Sequence, residues 1–209
     1  MKKLLLILIC LFVSFEVNSA FRWKGELGQR LHEFNYIDGL YYKKFSDTPF
    51  TGKVNYTDPE NGYNVQGKIV NGQMEGTWLR FTSSGELNRK ENYRNGWLHG
   101  IAIRYYNIGN SNVAKKSSEV LWDDGFDKNA TYYWMNQNIK SSYNYTTAVN
   151  IFGEVISVKH GENKEYSEDG RLIKKSIFCK GDELERWTYD FSGDETYEEI
   201  DNKNLHPSC

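Results

Sequence analysis

The sequence lacks an excess of charge of either sign. It contains 26 Lys and Arg residues against 28 Asp and Glu residues, which gives a formal net charge of −2. Proteins that bind nucleic acid usually carry a basic patch that neutralises phosphates. We therefore expect no nucleic-acid partner for this near-neutral chain.

Beyond residue 20 the sequence also lacks any apolar stretch near the roughly 20 residues that a membrane-spanning helix needs. No long segment spaces its apolar residues with a helical period, and proline occurs only three times. Glycine occurs 18 times, and aromatic residues make up 15% of the chain. Aromatic side chains favour pleated, half-buried strands, and glycine supplies tight turns. The sequence therefore predicts a single domain that is mainly β.

The first 20 residues have the layout of a secretory signal peptide. Two lysines at 2–3 precede an apolar run over 4–15, and residues 16–20 form a short polar end with small residues. The apolar run is too short to cross a bilayer as a helix, which argues against a permanent anchor. We expect cleavage after Ser19 or Ala20, a periplasmic or secreted mature protein, and no stable membrane insertion after cleavage.

An internal repeat of 24 residues is the strongest sign of organisation in the sequence. Residues 66–81 align with residues 90–105, and both copies contain an Asn-Gly pair, a second glycine, an arginine and an aromatic residue. The matched residues are Asn71-Gly72 with Asn95-Gly96, Gly76 with Gly100, Arg80 with Arg104, and Phe81 with Tyr105. Later copies are weaker: Asp124-Gly125 takes the Asn-Gly position, Asn129 and Glu185 replace second glycines, and His160-Gly161 matches His99-Gly100.

The repeat predicts a series of β-hairpins, because an Asn-Gly pair suits the positive φ angles of a type I′ turn. Large apolar residues stand before the turn glycines, at Ile69, Tyr93, Trp122 and Phe178, and after them, at Leu79, Phe81, Ile103, Tyr105, Tyr132 and Trp134. Residues two apart on a strand share a face, so each hairpin needs neighbours to bury its apolar face. We expect one elongated, twisted antiparallel sheet of stacked hairpins with a shared aromatic face. An ordinary β-sandwich is the alternative.

At these residues the sequence resembles a known family. The pattern Asn-Gly-x-x-x-Gly-x-x-x-x-Phe/Tyr is similar to the MORN repeat in its bacterial variant form, clearly over 38–106 and more weakly over 107–200. Residues 38–43 and 48–54 resemble the amino-terminal signature of the YwqK-family antitoxin group. The resemblance implies a sheet of hairpins, no conserved enzyme chemistry, and a role as the antitoxin or immunity half of a toxin pair. We divide the chain into a signal peptide (1–20), an N-terminal segment (21–37), a MORN-like repeat domain (38–200) and a C-terminal tail (201–209).

Motifs of enzymes and cofactor sites are missing from the sequence. No nucleophile motif, phosphate-binding loop or dinucleotide fingerprint occurs. The four histidines, His32, His99, His160 and His206, have no His or Cys neighbour at metal-ligand spacing. Carboxylates cluster at Glu165, Glu168 and Asp169 and at Glu195, Glu198, Glu199 and Asp201, next to predicted turns or the tail, although a spatial pair of glycosidase acids stays open. We expect no catalytic residue, cofactor or metal.

Three aromatic residues are the candidate partner-binding residues. Trp78 lies one position out of phase with Leu79 and Phe81, Trp97 follows the hairpin glycine, and Tyr106 follows Tyr105. Residues in these positions are expected to face outward, and exposed aromatic side chains often anchor protein interfaces. The alternative is that both faces of the sheet are partly covered.

The cysteines predict a disulfide bond in the exported protein. Cys10 leaves with the signal peptide, so Cys179 and Cys209 remain. Cysteines in an oxidising compartment tend to pair. We expect a Cys179–Cys209 disulfide that ties the polar tail across the last hairpin. Two unpaired thiols are the alternative.

Together these features predict an exported, non-enzymatic binding protein, with an immunity or antitoxin role against a toxin in the cell envelope. The expected partner is a protein, for which the cognate toxin is our hypothesis. The alternative is an envelope scaffold or a glycan- or lipid-binding repeat protein without a toxin partner.

Overall fold

The computed structural model describes residues 34–109 and 114–201, and within these ranges the chain forms β-strands and no helix. Consequently, the described chain has no helix long and apolar enough to cross a membrane. The strands are β1 (Phe34–Ile37), β2 (Leu40–Lys43), β3 (Gly52–Thr57), β4 (Asn64–Val70), β5 (Gln73–Phe81), β6 (Leu87–Arg94), β7 (Trp97–Leu98), β8 (Gly100–Tyr105), β9 (Lys116–Asp123), β10 (Phe126–Tyr133), β11 (Ile139–Val149), β12 (Val155–Lys159), β13 (Gly161–Tyr166), β14 (Leu172–Cys179), β15 (Asp182–Tyr189) and β16 (Glu195–Glu199). The predicted signal peptide, most of the N-terminal segment and most of the tail lie outside the described residues.

Strands β3 to β16 form one 14-stranded sheet in which spatial order follows chain order. Every described pairing is antiparallel, and β3 and β16 end the series. Strands β7 and β8 both pair with β6, and β12 and β13 both pair with β11. Strands β1 and β2 form a separate two-stranded hairpin. The prediction of a long antiparallel sheet built from successive hairpins is confirmed.

The Asn-Gly turns adopt the conformation that the sequence predicts. Asn95 and Gly96 have φ angles of 50° and 77°, and Arg94 pairs with Trp97, so the loop contains two residues. Both φ angles are positive, as a type I′ turn requires. The same two-residue turn with positive φ occurs at Asp38-Gly39, Asn71-Gly72, Asp124-Gly125 and Lys180-Gly181.

The turns of successive hairpins are hydrogen-bonded to one another. The N–H of a turn glycine donates to a carbonyl of the segment that precedes its hairpin at Gly72–Phe50, Gly96–Met74, Gly125–Leu98 and Gly181–Lys159, with distances of 2.8–3.0 Å. A side chain of the preceding hairpin accepts the N–H of the first turn residue at Asn71–Thr51, Asn95–Glu75 and Lys180–His160. This row of turns repeats along one end of the strands, so the internal repeat is structural as well as sequential.

The inner face of the sheet, which carries Ile69, Met74 and Trp78, differs from the predicted one. Ile69 pairs with Met74, and cross-strand partners share a face. Gly76, with a φ of 68°, lies in a bulge after which Gln66 pairs with Leu79. The bulge adds two residues to β5, an even number, so Met74 and Trp78 lie on the same face of the sheet.

The prediction that Leu79 and Phe81 share the face of Ile69 is therefore wrong, and Trp78 lies there instead. The prediction also fails at Ile103 and Tyr105. Tyr93 lies on the inner face, and Lys90, three residues earlier on β6, faces the opposite side. Ile103 pairs with Lys90 and therefore lies on the outer face, as does Tyr105 two residues later. In β10, in contrast, Tyr132 lies on the inner face as predicted, because a one-residue bulge between Asp127 and Asn129 shifts the alternation of faces by one position.

The apolar core occupies only the first part of the sheet. Its buried side chains form one cluster that comprises Tyr41, Val54, Tyr56, Val65, Ile69, Met74, Trp78, Tyr93 and Leu98. Ala130 is the last buried apolar residue in the described chain, and the buried side chains beyond it are Ser141, Asn163 and Ser176. The second half of the sheet is therefore held by strand pairing and by half-buried side chains such as Trp187, which contacts Tyr197 and the Lys175 ammonium.

Candidate functional site

A cavity opens on the inner face where the apolar core ends. Val120 pairs with Ala102 on one side and with Ala130 on the other. Two alanines in one cross-strand row leave space above the sheet, and the cavity there has a volume of about 180 Å³. Its lining residues are Glu91, Leu98, Ala102, Arg104, Ser118, Val120, Trp122, Asp127, Ala130 and Tyr132.

Two aromatic rings and several polar groups surround the alanine row. Arg104 and Tyr132 both pair with Ser118 on one side of the row, and Trp122 pairs with Asp127 on the other. Trp122 packs against the apolar core, and the Tyr132 ring makes an edge contact with Tyr143 at 5.9 Å between centroids. Their neighbours therefore orient both rings.

Glu91 is a buried carboxylate at the wall of the cavity. The residue is only 4% exposed, and the Tyr93 hydroxyl donates a hydrogen bond to Glu91 Oε2 at 2.6 Å. Arg89 Nη1 lies 3.9 Å from Glu91 Oε1. Burial, and then the charge of Glu91, raise the pKa of Tyr93 well above its ordinary value. The phenol therefore stays protonated at neutral pH and holds the carboxylate in place.

Asp127 is the other carboxylate of the cavity. Its side chain is half-buried. Within residues 34–109 and 114–201 it makes no hydrogen bond or ion pair. A carboxylate in this state can accept hydrogen bonds from a ligand without first breaking an internal contact.

Among the residues that the structure describes, one group of side chains could hold a metal ion. Ligand atoms of His99, Asp123 and Asp124 lie within 4.8 Å of one another. Arg94 is 2.8 Å from Asp124, and Lys128 is 3.7 Å from Asp123, so cations of the chain already partner both carboxylates. His99 also occupies the repeat position at which His160 accepts a turn N–H. This group therefore belongs to the row of turns.

A second candidate site is the finger, defined as residues 145–159. Its strands pair from Tyr145 with Lys159 to Val149 with Val155. The Lys159 carbonyl accepts the N–H of Gly181, and this bond marks where the finger leaves the row of turns. In the hairpins of Gly72 and Gly96 the accepting residue follows the turn glycine by two positions, as Leu98 follows Gly96, whereas Lys159 follows Gly153 by six. The finger therefore extends about 13 Å further than these two hairpins.

The tip of the finger presents apolar side chains to solvent. Ile151 is 92% exposed, Phe152 is 79% exposed and Val149 is 65% exposed. Residues 144–153 contain no charged side chain. Such a concentration of exposed apolar groups is typical of an interaction site.

Hydrogen bonds hold the backbone of this tip in one conformation. Asn150 Oδ1 accepts the N–H groups of Phe152 and Glu154, each at 2.9 Å. Asn150 Nδ2 donates to Glu154 Oε2, and the Asn150 backbone bonds both Glu154 and Gly153. The apolar side chains therefore stand on an ordered turn.

Other turns of the same form show that the apolar pair is specific to the finger. In the turns Thr82–Glu86, Ser167–Arg171 and Asp190–Asp194 the first residue is likewise bonded to the fifth, and glycine is fourth. The second and third residues there are Ser83-Ser84, Glu168-Asp169 and Phe191-Ser192, against Ile151-Phe152 in the finger. The turn itself therefore does not require two large apolar residues.

The three aromatic residues selected from the sequence lie in different surroundings. The prediction that Trp78 faces outward is wrong, because its side chain is 0% exposed and lies over Gly67 on the inner face. Trp97 is half-buried beside the turn. Tyr106 is also half-buried, and its hydroxyl donates to the Tyr133 carbonyl at 2.5 Å. The structure therefore does not bring these three residues into one exposed patch.

The two carboxylate clusters are mostly exposed, as expected, and only Glu165 on β13 is half-buried. Hydrogen bonds from Ser167 and Arg171 lower the pKa of Asp169 to about 2. Glu195, Glu198 and Glu199 are exposed on β16, the last strand of the sheet. Charged side chains on such a strand oppose pairing with other chains.

The finger tip was missed in the sequence, although a local sign was present. The spacing of Asn150 and Gly153 matches that of the other five-residue turns. Ile151 and Phe152 are the second and third residues of this turn, and in the other turns these two positions are exposed. The cavity has no comparable sign, because its residues come from five strands. No protein-family model matches the chain, and no curated protein matches it either. The resemblance to MORN repeats and to the YwqK-family antitoxin group therefore stays a prediction.

Proposed function

We propose that the chain is an exported, non-enzymatic binding protein whose partner is a toxin of the cell envelope, so that it acts as an immunity protein. The signal-like residues 1–20 and the antitoxin-like signature over 38–54 support this function. The observation that carries it is the finger, which presents Ile151 and Phe152 on an ordered turn.

The finger has the properties of an interface anchor. Full burial of an Ile or Phe side chain is worth roughly 1.5–3 kcal/mol. The hydrogen bonds of Asn150 order the turn in advance, so binding does not bear the entropy cost of ordering it. Ile151 and Phe152 together therefore supply enough free energy to dominate an interface of ordinary size.

The charge of the finger favours a protein cleft over a membrane surface. Peripheral membrane segments combine apolar groups with Lys or Arg on the polar side. Residues 144–153 contain no Lys or Arg. Lys159 at the base of the finger lies over the rings of Tyr143, at 4.4 Å, and Phe178, at 5.0 Å.

The experiment tests protection against toxins encoded next to this gene. Each neighbouring open reading frame is directed to the periplasm of a sensitive strain, with the full chain or a variant co-expressed. We expect the wild-type chain to restore growth and the double variant Ile151→Ser/Phe152→Ser to lose protection, with binding about 100-fold weaker or more.

Phe191→Ser is the matched control, because Phe191 is also 92% exposed at a turn of the same form. This variant should protect like the wild type. Protection by the finger variant at the wild-type level would contradict the assigned role of the finger. Recovery of only envelope lipid or glycan by the purified chain, with no protein, would contradict the immunity function itself.

A further inference from the structure

We propose that the cavity lined by β6 to β10 is a binding site for a single uncharged sugar ring. This inference is independent of the immunity function, because it concerns different strands and side chains from the finger. It follows from the size, the charge balance and the chemistry of the lining.

The size of the cavity sets the size of the ligand. Its volume is about 180 Å³. Pockets for drug-sized molecules begin at roughly 300 Å³. The cavity therefore suits one six-membered ring, and the pairing of Val120 with Ala102 and Ala130 fixes its floor.

The charges around the cavity favour a neutral ligand. Glu91 and Asp127 are acidic, and Arg104 in the lining and Arg89 beside Glu91 are basic. An anion would meet the two carboxylates, and a cation would meet the two guanidinium groups. A ligand without net charge avoids both repulsions and can still form hydrogen bonds with Asp127 and Arg104 in the lining.

The polar and aromatic groups match the two kinds of surface on a sugar ring. Sugar hydroxyls both donate and accept hydrogen bonds, and the lining offers the Asp127 carboxylate as an acceptor and the Ser118 hydroxyl as both. The C–H face of a pyranose is apolar and packs against aromatic rings. Trp122 and Tyr132 stand on opposite sides of the alanine row and can supply those rings.

Asp127 and Glu91 have different roles in this site. The Asp127 carboxylate is available for direct contact, because it makes no hydrogen bond or ion pair within the described chain. Glu91 is held by Tyr93 and lies beside Arg89, so it forms a fixed wall. A site with one available acceptor beside fixed neighbours is ordered before the ligand arrives.

The test is calorimetric titration of the purified full chain with defined sugars. Glucose, galactose, mannose and N-acetylglucosamine are the neutral probes, and glucosamine and glucuronate are charged molecules of similar size. We expect at least one neutral sugar to bind saturably. Asp127→Asn and Ala102→Leu should each weaken that binding by about tenfold or more, the first by replacing the charged acceptor and the second by filling the cavity.

Asp47→Asn is the control variant, because Asp47 is exposed in a turn away from the cavity, and it should leave the affinity unchanged. Asp127→Asn preserves shape, so it decides the question if Ala102→Leu does not fold. Absence of saturable binding by every neutral sugar would overturn the proposal. Tighter binding of glucosamine or glucuronate, or an unchanged affinity in Asp127→Asn, would also overturn it.

Discussion

Replacement of Gly67 by alanine tests the packing of the core at its tightest point. Gly67 lies in β4 and has no positive φ, so its backbone accepts an L residue without strain. A Cβ at this position would stand 2.1–2.5 Å from three ring atoms of Trp78. The indole is fully buried, so it cannot swing into solvent without leaving the core. One added methyl group must therefore displace the ring.

The size of the effect follows from overpacking. Insertion of a methyl group into a close-packed core costs about 1–3 kcal/mol, and exclusion of the indole from the core would cost about 3–5 kcal/mol. We expect Gly67→Ala to lower the free energy of unfolding by at least 2 kcal/mol or so. For a chain of this length, that loss lowers the melting temperature by roughly 4–8 °C.

The assay is urea unfolding followed by fluorescence, with Trp78→Leu and the double variant as partners in a mutant cycle. Trp78→Leu removes the ring atoms that the new Cβ would meet, so the penalty of Gly67→Ala should be smaller in that background. Gln66→Ala, at the neighbouring exposed position, serves as the control. A stability of Gly67→Ala within about 0.5 kcal/mol of wild type, or equal penalties in both backgrounds, would refute the packing of Trp78 over Gly67.

Three further predictions concern the turns, the charges and the cysteines. Gly96→Val should destabilise the protein by more than about 1 kcal/mol, because it forces a φ of 77° on a β-branched residue; an unchanged thermal transition would contradict the turn assignment. A hydrogen bond from Arg186 lowers the pKa of Glu183 to about 2 from its ordinary value of 4.5, so Glu183 contributes stability above pH 4.5 that is lost as the pH falls toward 2. Glu183→Gln should flatten the stability profile in that interval, and an identical profile would contradict the assignment. Cys179 lies in β14 and Cys209 lies outside the described residues, so their disulfide stays a prediction; two free thiols in unreduced, denatured protein would rule it out.

The sequence predicts the turns well because their chemistry is local. Asn71-Gly72 and Asn95-Gly96 carry their preference for positive φ in two adjacent residues, and the structure confirms both. Prediction of the inner face failed at Leu79, because the face of that residue depends on two things together: the cross-strand pairing that the turn sets and the number of residues that the bulge at Gly76 inserts.

The candidate sites show the same division between local and non-local signals. The finger tip depends on one five-residue turn, so comparison of that turn with its counterparts would have identified Ile151 and Phe152. The cavity depends on the pairing of Ala102 and Ala130 with Val120 across three strands. That pairing follows from bulges whose lengths the sequence does not reveal.

Site-specific photo-crosslinking at the finger tip tests the central proposal most directly. A photoreactive phenylalanine analogue replaces Phe152 in one variant and Phe191 in another, both in the full chain expressed in its native host. The exposure of the two side chains is similar, at 79% and 92%. We expect a discrete protein adduct at position 152 that is absent at position 191. No adduct at 152, or the same set of adducts at both positions, would contradict it.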